Sequence, residues 1–215
     1  MRSPIPTSVV STDSVRRRSG QFPPVRPGNR LAPEITDRAV APALPTRLRP
    51  ADLLRLTDEG AEDVLAGRFD HLLPPGGVWP TAKRWATRIL ADDEVDVWLI
   101  SWVPDRSTEL HDHAGSLGAL TVLSGALSEF RWNGMELRQR TLEAGDQASF
   151  PLGWVHDVVR APDAAAGPVE PGNPTLSVHA YSPPLSAMSY YEVTGHGTLL
   201  RTRTVLTDQP EGDVN

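Results

Sequence analysis

The second half of the chain consists of short apolar runs separated by turn residues. Beyond residue 94, runs of five to nine residues follow one another, and Gly, Pro, Asn and Asp lie between them. Such runs with such boundaries are typical of β-strands. The predicted strands are residues 95–103, 117–125, 126–132, 136–142, 147–151, 154–161, 175–182, 188–194 and 199–206. Many short strands in succession predict a small antiparallel barrel or jelly roll.

In two segments before these strands, the apolar residues have the spacing of helices. Residues 49–67 carry several leucines, Pro50 suits a first helical position, and Gly67 suits a stop. A break near Gly60 is expected to divide this segment into two short helices. Residues 81–92 predict a further helix from their apolar spacing. The predicted fold class is therefore mainly β, with an N-terminal helical cover over an antiparallel barrel.

Two connections within the β region have clear turn signals. Asn133-Gly134 lies between two predicted strands and is a strong hairpin signal. Residues 163–174 are rich in proline, glycine and alanine and predict a surface loop.

Length and composition divide the chain into a tail and one domain. A chain of 215 residues fits one domain with a single core. Residues 1–45 hold eight prolines without periodicity and predict a disordered tail, followed by one domain at 46–207 and a flexible C-terminus at 208–215. The Arg- and Ser-rich start resembles a transit peptide and equally suits an extension without a function.

The charged residues are unevenly distributed along the chain, and this distribution indicates which partners the domain can bind. Residues 1–50 hold nine arginines against three acidic residues, whereas residues 51–215 hold 12 basic against 24 acidic residues. An acidic domain argues against nucleic acid as a partner. No apolar run reaches the roughly 18 residues of a membrane span. We therefore expect a cytoplasmic monomer that binds neither nucleic acid nor a membrane.

Two histidines stand one residue apart in the segment 111–125. In a strand, His111 and His113 point to the same side, while Asp112 points to the opposite side, from which it could orient a neighbouring group. Two imidazoles on one wall suit a first-row metal if a third ligand joins them. The chain contains no cysteine, so any transition metal must use histidine or carboxylate ligands. Two ordinary surface histidines are the alternative.

A second motif contains a histidine that could be the third metal ligand. Gly145, Pro151, Gly153 and His156 have the spacing G-x5-P-x-G-x2-H, which resembles the second motif of the cupin superfamily. The resemblance implies a cupin-type barrel in which His156 joins the histidine pair around one metal.

The first cupin motif is matched with one departure. The motif is HxH followed by Glu and then Gly, and here Gly125 matches the glycine while Gly118 stands in place of the glutamate. Three neutral imidazoles would leave a divalent ion with its full charge, which favours an anionic ligand such as a thiolate. Iron(II) and zinc both suit three histidines with open positions.

A row of polar residues follows on a later strand. Ser177, His179 and Tyr181 alternate, so they share one strand face and can pass hydrogen bonds from one side chain to the next. An ordinary polar strand is the alternative interpretation.

Taken together, the motifs closely resemble the cysteine dioxygenase family over about residues 80–195. The match lies in HDHAGS, PLGWVH, SVHAYSPP and ATR, which contains Arg88. The resemblance implies one Fe(II) per chain, held by His111, His113 and His156, and the addition of both oxygen atoms of O2 to a thiol to give a sulfinic acid. It implies catalytic roles for Ser177, His179 and Tyr181.

By the same resemblance Arg88 would hold the substrate carboxylate, for which a guanidinium has the right two-point geometry. The alternative for Arg88 is an ion pair on a helix surface.

Two departures from the family affect the details. Animal members crosslink a cysteine in the first motif to the tyrosine, but Gly118 stands there, so Tyr181 must be free of that crosslink. Ala86 stands where many relatives have a tyrosine near the carboxylate. The leading hypothesis is a dioxygenase of L-cysteine. The alternatives are a dioxygenase of 3-mercaptopropionate or another carboxylated thiol, a non-catalytic cupin that binds a metal or small ligand, and a zinc-dependent hydrolase or isomerase.

Overall fold

The structure, a computed structural model, describes residues 48–210. Its α-helices are α1 (Pro50–Leu65) and the short α2 (Asp163–Ala166), and two 3-10 helices span Asp70–Leu72 and Pro75–Gly77. Its strands are β1 (Trp85–Ala91), β2 (Asp96–Trp102), β3 (His111–Asp112), β4 (Leu117–Ser124), β5 (Ala126–Trp132), β6 (Leu137–Glu143), β7 (Gln147–Phe150), β8 (His156–Arg160), β9 (Thr175–Ser182), β10 (Ala187–Val193) and β11 (Leu199–Leu206). Within this range no helix is long and apolar enough to cross a membrane.

The strands form two antiparallel sheets that enclose the core. The five-stranded sheet has the order β1-β2-β9-β4-β7, and the six-stranded sheet has the order β11-β10-β3-β8-β5-β6. Inward-facing side chains from both sheets form one buried cluster, which includes Trp102, Leu120, Phe150, Val158 and Met188. The prediction of a mainly β, cupin-type antiparallel barrel with an N-terminal helical cover is confirmed.

Helix α1 covers the outer face of the five-stranded sheet. Its buried Leu53, Ala61 and Val64 pack in one cluster with outward-facing residues of β2 and β9. The helix is continuous, so the predicted break near Gly60 is wrong. A Cβ atom on Gly60 would lie 3.1 Å from a methyl group of Val178, so the glycine allows the helix to approach the sheet closely.

The predicted second helix at residues 81–92 is also wrong, because most of this segment is strand β1. β1 pairs with β2 along its length, and both of its faces meet neighbours. Trp85 and Ile89 pack on the α1 side, whereas Ala86 packs against the barrel core. Trp85 and Ile89 are four residues apart, a spacing that places two side chains on one face of either a helix or a strand, so this spacing does not identify the element.

The predicted strands from residue 95 onward are all present, with ends shifted by no more than two residues. β5 and β6 form the hairpin predicted at Asn133-Gly134, although its turn has four residues rather than two. The predicted loop 163–174 contains the four-residue helix α2. The predicted tail at 1–45 and residues 211–215 lie outside the described residues, so the domain boundaries stay a prediction.

Candidate functional site

Three buried histidines meet inside the barrel. His111 lies on β3, His113 follows that strand directly, and His156 begins β8 as the partner of His111 in the sheet. Each side chain can offer one nitrogen, and these nitrogens lie within 4.8 Å of one another. The structure thus brings together the three predicted ligands, and a first-row metal ion fits this set of imidazoles.

Hydrogen bonds at the outer ring nitrogens orient two of these imidazoles. His111 Nδ1 lies 2.8 Å from the carbonyl oxygen of Glu109, and His156 Nδ1 lies 3.1 Å from the Glu129 carboxylate. Because both partners can only accept, each Nδ1 carries the proton and donates it. Each Nε2 therefore keeps its lone pair, which is the form that binds a metal.

Glu129 is a residue beside the histidine cluster that the motifs did not reveal. It lies on β5 with no exposed side-chain area, and its carboxylate accepts from His156, from the guanidinium of Arg140 and from Trp154 Nε1 at 3.3 Å. Burial by itself would raise the pKa of Glu129, but His156 and Arg140 outweigh burial and lower the pKa to about 2. An ionised carboxylate therefore contacts His156, one of the three predicted ligands, although Gly118 occupies the position of the expected carboxylate ligand.

The predicted polar row forms a hydrogen-bonded chain. Ser177 Oγ lies 2.9 Å from His179 Nε2, and His179 Nδ1 lies 3.1 Å from the Tyr181 hydroxyl. All three side chains are fully buried. The Tyr181 ring lies 4.9 Å from the His113 ring, so the chain ends beside the histidine cluster.

Trp102 extends this chain at its Ser177 end. Its Nε1–H donates to Ser177 Oγ at 2.8 Å. The Ser177 hydroxyl can both donate and accept, so the direction of its bond to His179 Nε2 follows the tautomer of His179. The bond between His179 Nδ1 and the Tyr181 hydroxyl takes the matching direction.

Gly118 lies on β4 directly between Tyr181 and Phe150. It is the cross-strand partner of Tyr181 on β9 and of Phe150 on β7. A Cβ atom at this position would lie 2.9 Å from the Phe150 ring and 3.4 Å from the Tyr181 ring. The Phe150 ring in turn lies 4.3 Å from the His156 ring. The absence of a side chain at 118 therefore allows both aromatic rings to pack against the histidine cluster.

Arg88 lies on the inner face of β1 rather than on a helix. Arg88 is the cross-strand partner of Trp98 on β2, and Trp98 is the partner of His179 on β9. The three residues therefore lie side by side across the sheet, and Arg88 is in line with the Ser177, His179, Tyr181 row. The guanidinium carbon lies 4.5 Å from the Trp98 ring centre.

Two carboxylates surround the Arg88 guanidinium. Nη2 of Arg88 donates to the carboxylate of Asp208 at 3.2 Å, and Nε lies 3.9 Å from Asp96. Burial raises the pKa of Asp96, against the opposing effects of Trp98 and Arg88. Arg88 thus forms an ion pair, as the alternative interpretation predicted. It does so from strand β1 and not from a helix surface.

The remaining predicted residues occupy supporting positions. Asp112 accepts from the Tyr191 hydroxyl at 2.7 Å and from the backbone N–H of Ala114 at 2.9 Å, which fixes the turn between the histidine ligands and β4. His71 and His196, the two histidines far from this cluster in sequence, are exposed.

A two-sheet barrel of this kind is a cupin-type fold, and the three buried histidines that converge inside it could hold one metal ion. The family model of cysteine dioxygenase type I matches residues 81–194, which is more than half of the chain. The chain therefore belongs to this family and is a cupin of the thiol dioxygenase type.

Solved structures give more distant similarities. One is a protein with a double-stranded β-helix domain from Klebsiella pneumoniae subsp. pneumoniae MGH 78578, at 20% identity, covering 59% of this chain and 90% of that one, with a TM-score of 0.38. Another is a cupin superfamily protein from Desulfitobacterium hafniense DCB-2, at 10% identity, covering 48% and 81%, with a TM-score of 0.36. At these values the similarities carry no argument about function.

Proposed function

We propose that the protein is a non-haem iron(II) dioxygenase that converts L-cysteine to cysteine sulfinate. The overall reaction takes a thiol RSH and O2 to RSO2H. Both oxygen atoms are added to sulfur, and the electrons that sulfur loses reduce O2, so no further reductant is needed. Iron held by His111, His113 and His156 would supply the open positions and the redox chemistry for this reaction.

One observation above the others supports catalysis over simple binding. The buried side chains of Trp102, Ser177, His179 and Tyr181 are joined in one row of hydrogen bonds, and this row ends beside the histidine cluster. Such an ordered chain can accept and return a proton at the Tyr181 oxygen through the imidazole of His179. A cupin that only binds a ligand would gain nothing from this arrangement.

Arg88 is proposed to hold the substrate carboxylate. It projects from the inner face of β1 in the row of Trp98 and His179, and its guanidinium already binds a carboxylate, that of Asp208. The Asp208 side chain is 74% exposed, so this ion pair is a weak one that a substrate carboxylate can replace. 3-Mercaptopropionate has the same carboxylate and is the nearest alternative substrate.

The test is oxygen uptake by anaerobically iron-loaded protein with L-cysteine, 3-mercaptopropionate, mercaptosuccinate and cysteamine, with the sulfinate product quantified. We expect turnover of carboxylated thiols and the highest kcat/KM for L-cysteine. Zinc-loaded protein is the control and should consume no O2. Absence of thiol-dependent uptake with every thiol would reject the dioxygenase and leave the metal-binding cupin or the zinc enzyme.

Arg88→Ala tests the carboxylate contact separately. A lost charge-assisted hydrogen bond costs about 1.5–3 kcal/mol, so KM for carboxylated thiols should rise roughly 10- to 100-fold while iron content stays unchanged. Any turnover of cysteamine, which lacks a carboxylate, should not change. Arg138→Ala, at an exposed arginine of β6, is the matched control. Loss of iron, or wild-type KM values, would show that Arg88 does not bind the substrate.

A further inference from the structure

The turn that carries His113 is closed by the side chain of its neighbour Asp112. Strand β3 ends at Asp112, so His113 lies beyond the strand pairing that fixes His111. Asp112 Oδ1 accepts from the backbone N–H of Ala114 at 2.9 Å, and the ring that this hydrogen bond closes contains the backbone of His113. The position of His113 relative to His111 therefore depends on how firmly Asp112 is held.

This turn has a strained backbone. Ala114 has a φ angle of 49°, in the left-handed region that a residue with a Cβ atom adopts at a cost. Such conformations persist where the surrounding contacts enforce them, and they cluster at functional sites. The hydrogen bond from Ala114 enforces the turn only if the Asp112 carboxylate cannot rotate away.

Tyr191 on β10 holds the other oxygen of this carboxylate. Its hydroxyl donates to Asp112 Oδ2 at 2.7 Å, so both carboxylate oxygens have a donor. The pairing of β10 with β3 brings the two side chains together, because Ser189 is the cross-strand partner of Asp112 and the Tyr191 N–H donates to the carbonyl of Leu110 at 2.7 Å. Asp112 is only 6% exposed, so water competes little for these oxygens.

Arg201 on β11 fixes the direction of the Tyr191 hydroxyl. Nε and Nη2 of Arg201 lie 3.2 and 3.1 Å from the Tyr191 oxygen, and a guanidinium can only donate. The Tyr191 hydroxyl hydrogen therefore points to Asp112. The register of β10 and β11 shifts between Tyr190 and Tyr191, which places Arg201 opposite Tyr191. Bulges of this kind re-aim side chains, often beside functional sites.

We propose that Tyr191 is a positioning residue of the metal site, which holds Asp112, and through it His113, in the arrangement that binds a metal ion. Arg201 aligns the Tyr191 hydroxyl for this contact. Loss of a partner behind a metal ligand typically lowers metal affinity by 10- to 100-fold. Tyr191 acts one residue further away, so its effect should lie near the lower end of this range. The role requires a metal in the histidine cluster but no dioxygenase activity.

The test is metal binding by metal-free, full-length Tyr191→Phe protein, which lacks only the hydroxyl. Competition with a chelator of known affinity measures Co²⁺ and Zn²⁺ binding, and the visible absorption of bound Co²⁺ reports the arrangement of its ligands. We expect roughly tenfold weaker binding of both ions and an altered cobalt spectrum. Arg201→Gln, at an exposed side chain, should weaken binding about 1.5- to 5-fold, as expected for a surface contact.

Thr121→Val is the matched control for lost stability. The Thr121 hydroxyl donates to Thr57 Oγ1 at 2.8 Å, in a buried contact between β4 and helix α1 on the outer face of the five-stranded sheet. Its removal weakens the fold without touching the histidine cluster, so metal affinity and the cobalt spectrum should stay as in wild type. If Thr121→Val changed both as much as Tyr191→Phe does, at an equal loss of unfolding free energy, Tyr191 would act through stability and the proposal would be overturned.

A second comparison tests whether Tyr191 acts through Asp112. In an Asp112→Ala background the contact is already absent, so adding Tyr191→Phe should not change metal affinity further. Full additivity of the two substitutions would also overturn the proposal.

The same measurements separate this inference from the proposed function. Wild-type affinity and an unchanged cobalt spectrum in both Tyr191→Phe and Arg201→Gln would reject the positioning role and leave the dioxygenase open. If wild-type protein bound neither ion more tightly than His113→Gln protein does, the metal site itself would be rejected, and the positioning role with it. Tighter binding by wild type, lost in part by Tyr191→Phe, supports the positioning role whether or not any thiol is oxidised.

Discussion

A carboxylate can influence a metal centre without contacting the metal, and Glu129 has the position to do so. It accepts from His156 Nδ1 and is itself held by Arg140 and Trp154. Its pKa of about 2 keeps it ionised at any ordinary assay pH. An ionised acceptor makes the imidazole a stronger donor to the metal and fixes its orientation.

We predict that Glu129→Gln lowers the affinity for iron(II) or zinc by roughly 10- to 100-fold, the usual cost of losing a partner behind a metal ligand. The amide retains the shape and one acceptor but removes the charge. Competition with a chelator of known affinity measures the change. Glu136→Gln, at an exposed acid in the β5–β6 turn, is the control, and equal affinities for the two variants would contradict the role of Glu129.

Gly118 leads to a prediction about packing. In Gly118→Ala the new methyl group would overlap the buried Phe150 ring, and overpacking of this kind typically costs about 1–3 kcal/mol of the free energy of unfolding. Gly115→Ala is the matched control, because no atom lies within 4 Å of its added Cβ. Urea denaturation of both variants measures the difference. A Gly118→Ala protein as stable as wild type would mean that Phe150 moves aside without cost.

At the scale of elements, the sequence was informative wherever turn residues bounded a short run typical of a strand. The runs at β4, β5, β9 and β11 could be delimited to within about a residue. β1 could not, because its apolar Trp85 and Ile89 have a spacing that suits a helix as well as a strand, and the connection to β2 at residues 92–95 contains neither Gly nor Pro. Pairing with β2 decides between the two structures.

The sequence predicted those residues of the candidate site that belong to a recognisable motif, and it missed the others. Three histidines and the Ser177, His179, Tyr181 row have characteristic spacing, and the structure brings each set together. Trp102 and Glu129 belong to no motif, because their roles depend on which strands become neighbours. One signal for Glu129 was present: it alternates with Leu127, so a carboxylate occupies an inward position of β5.

The segment after β11 lies against β1, and this contact leads to a kinetic prediction. Asp208 holds the Arg88 guanidinium that we propose for the substrate. Asp208→Asn removes the competing charge, and a surface ion pair contributes about 0.2–1 kcal/mol. KM for L-cysteine should therefore fall about 1.5- to 5-fold at unchanged kcat. Steady-state oxygen uptake measures this, with Asp93→Asn at another exposed acid as the control. An unchanged or higher KM would show that Asp208 does not compete with substrate.

At the scale of the whole molecule, the site joins the two sheets. His111 and His156 belong to the six-stranded sheet, whereas Tyr181 and Phe150 belong to the five-stranded sheet. Ring contacts cross between them, from His113 to Tyr181 and from His156 to Phe150. An ion that fixes the three histidines therefore also fixes the packing of one sheet on the other.

Metal binding should consequently stabilise the whole domain. A ligand at 100 times its Kd adds about 2.7 kcal/mol to the free energy of unfolding. For a domain of this size that corresponds to a rise in Tm of roughly 5–10 °C. Anaerobic calorimetry of metal-stripped protein with added Fe²⁺ or Zn²⁺ measures the shift. Mg²⁺, which prefers oxygen ligands, is the control and should give none. His113→Gln should abolish the shift. If this variant were stabilised as much as wild type, the ion would be bound outside the histidine cluster, and the assignment of the metal site would be wrong.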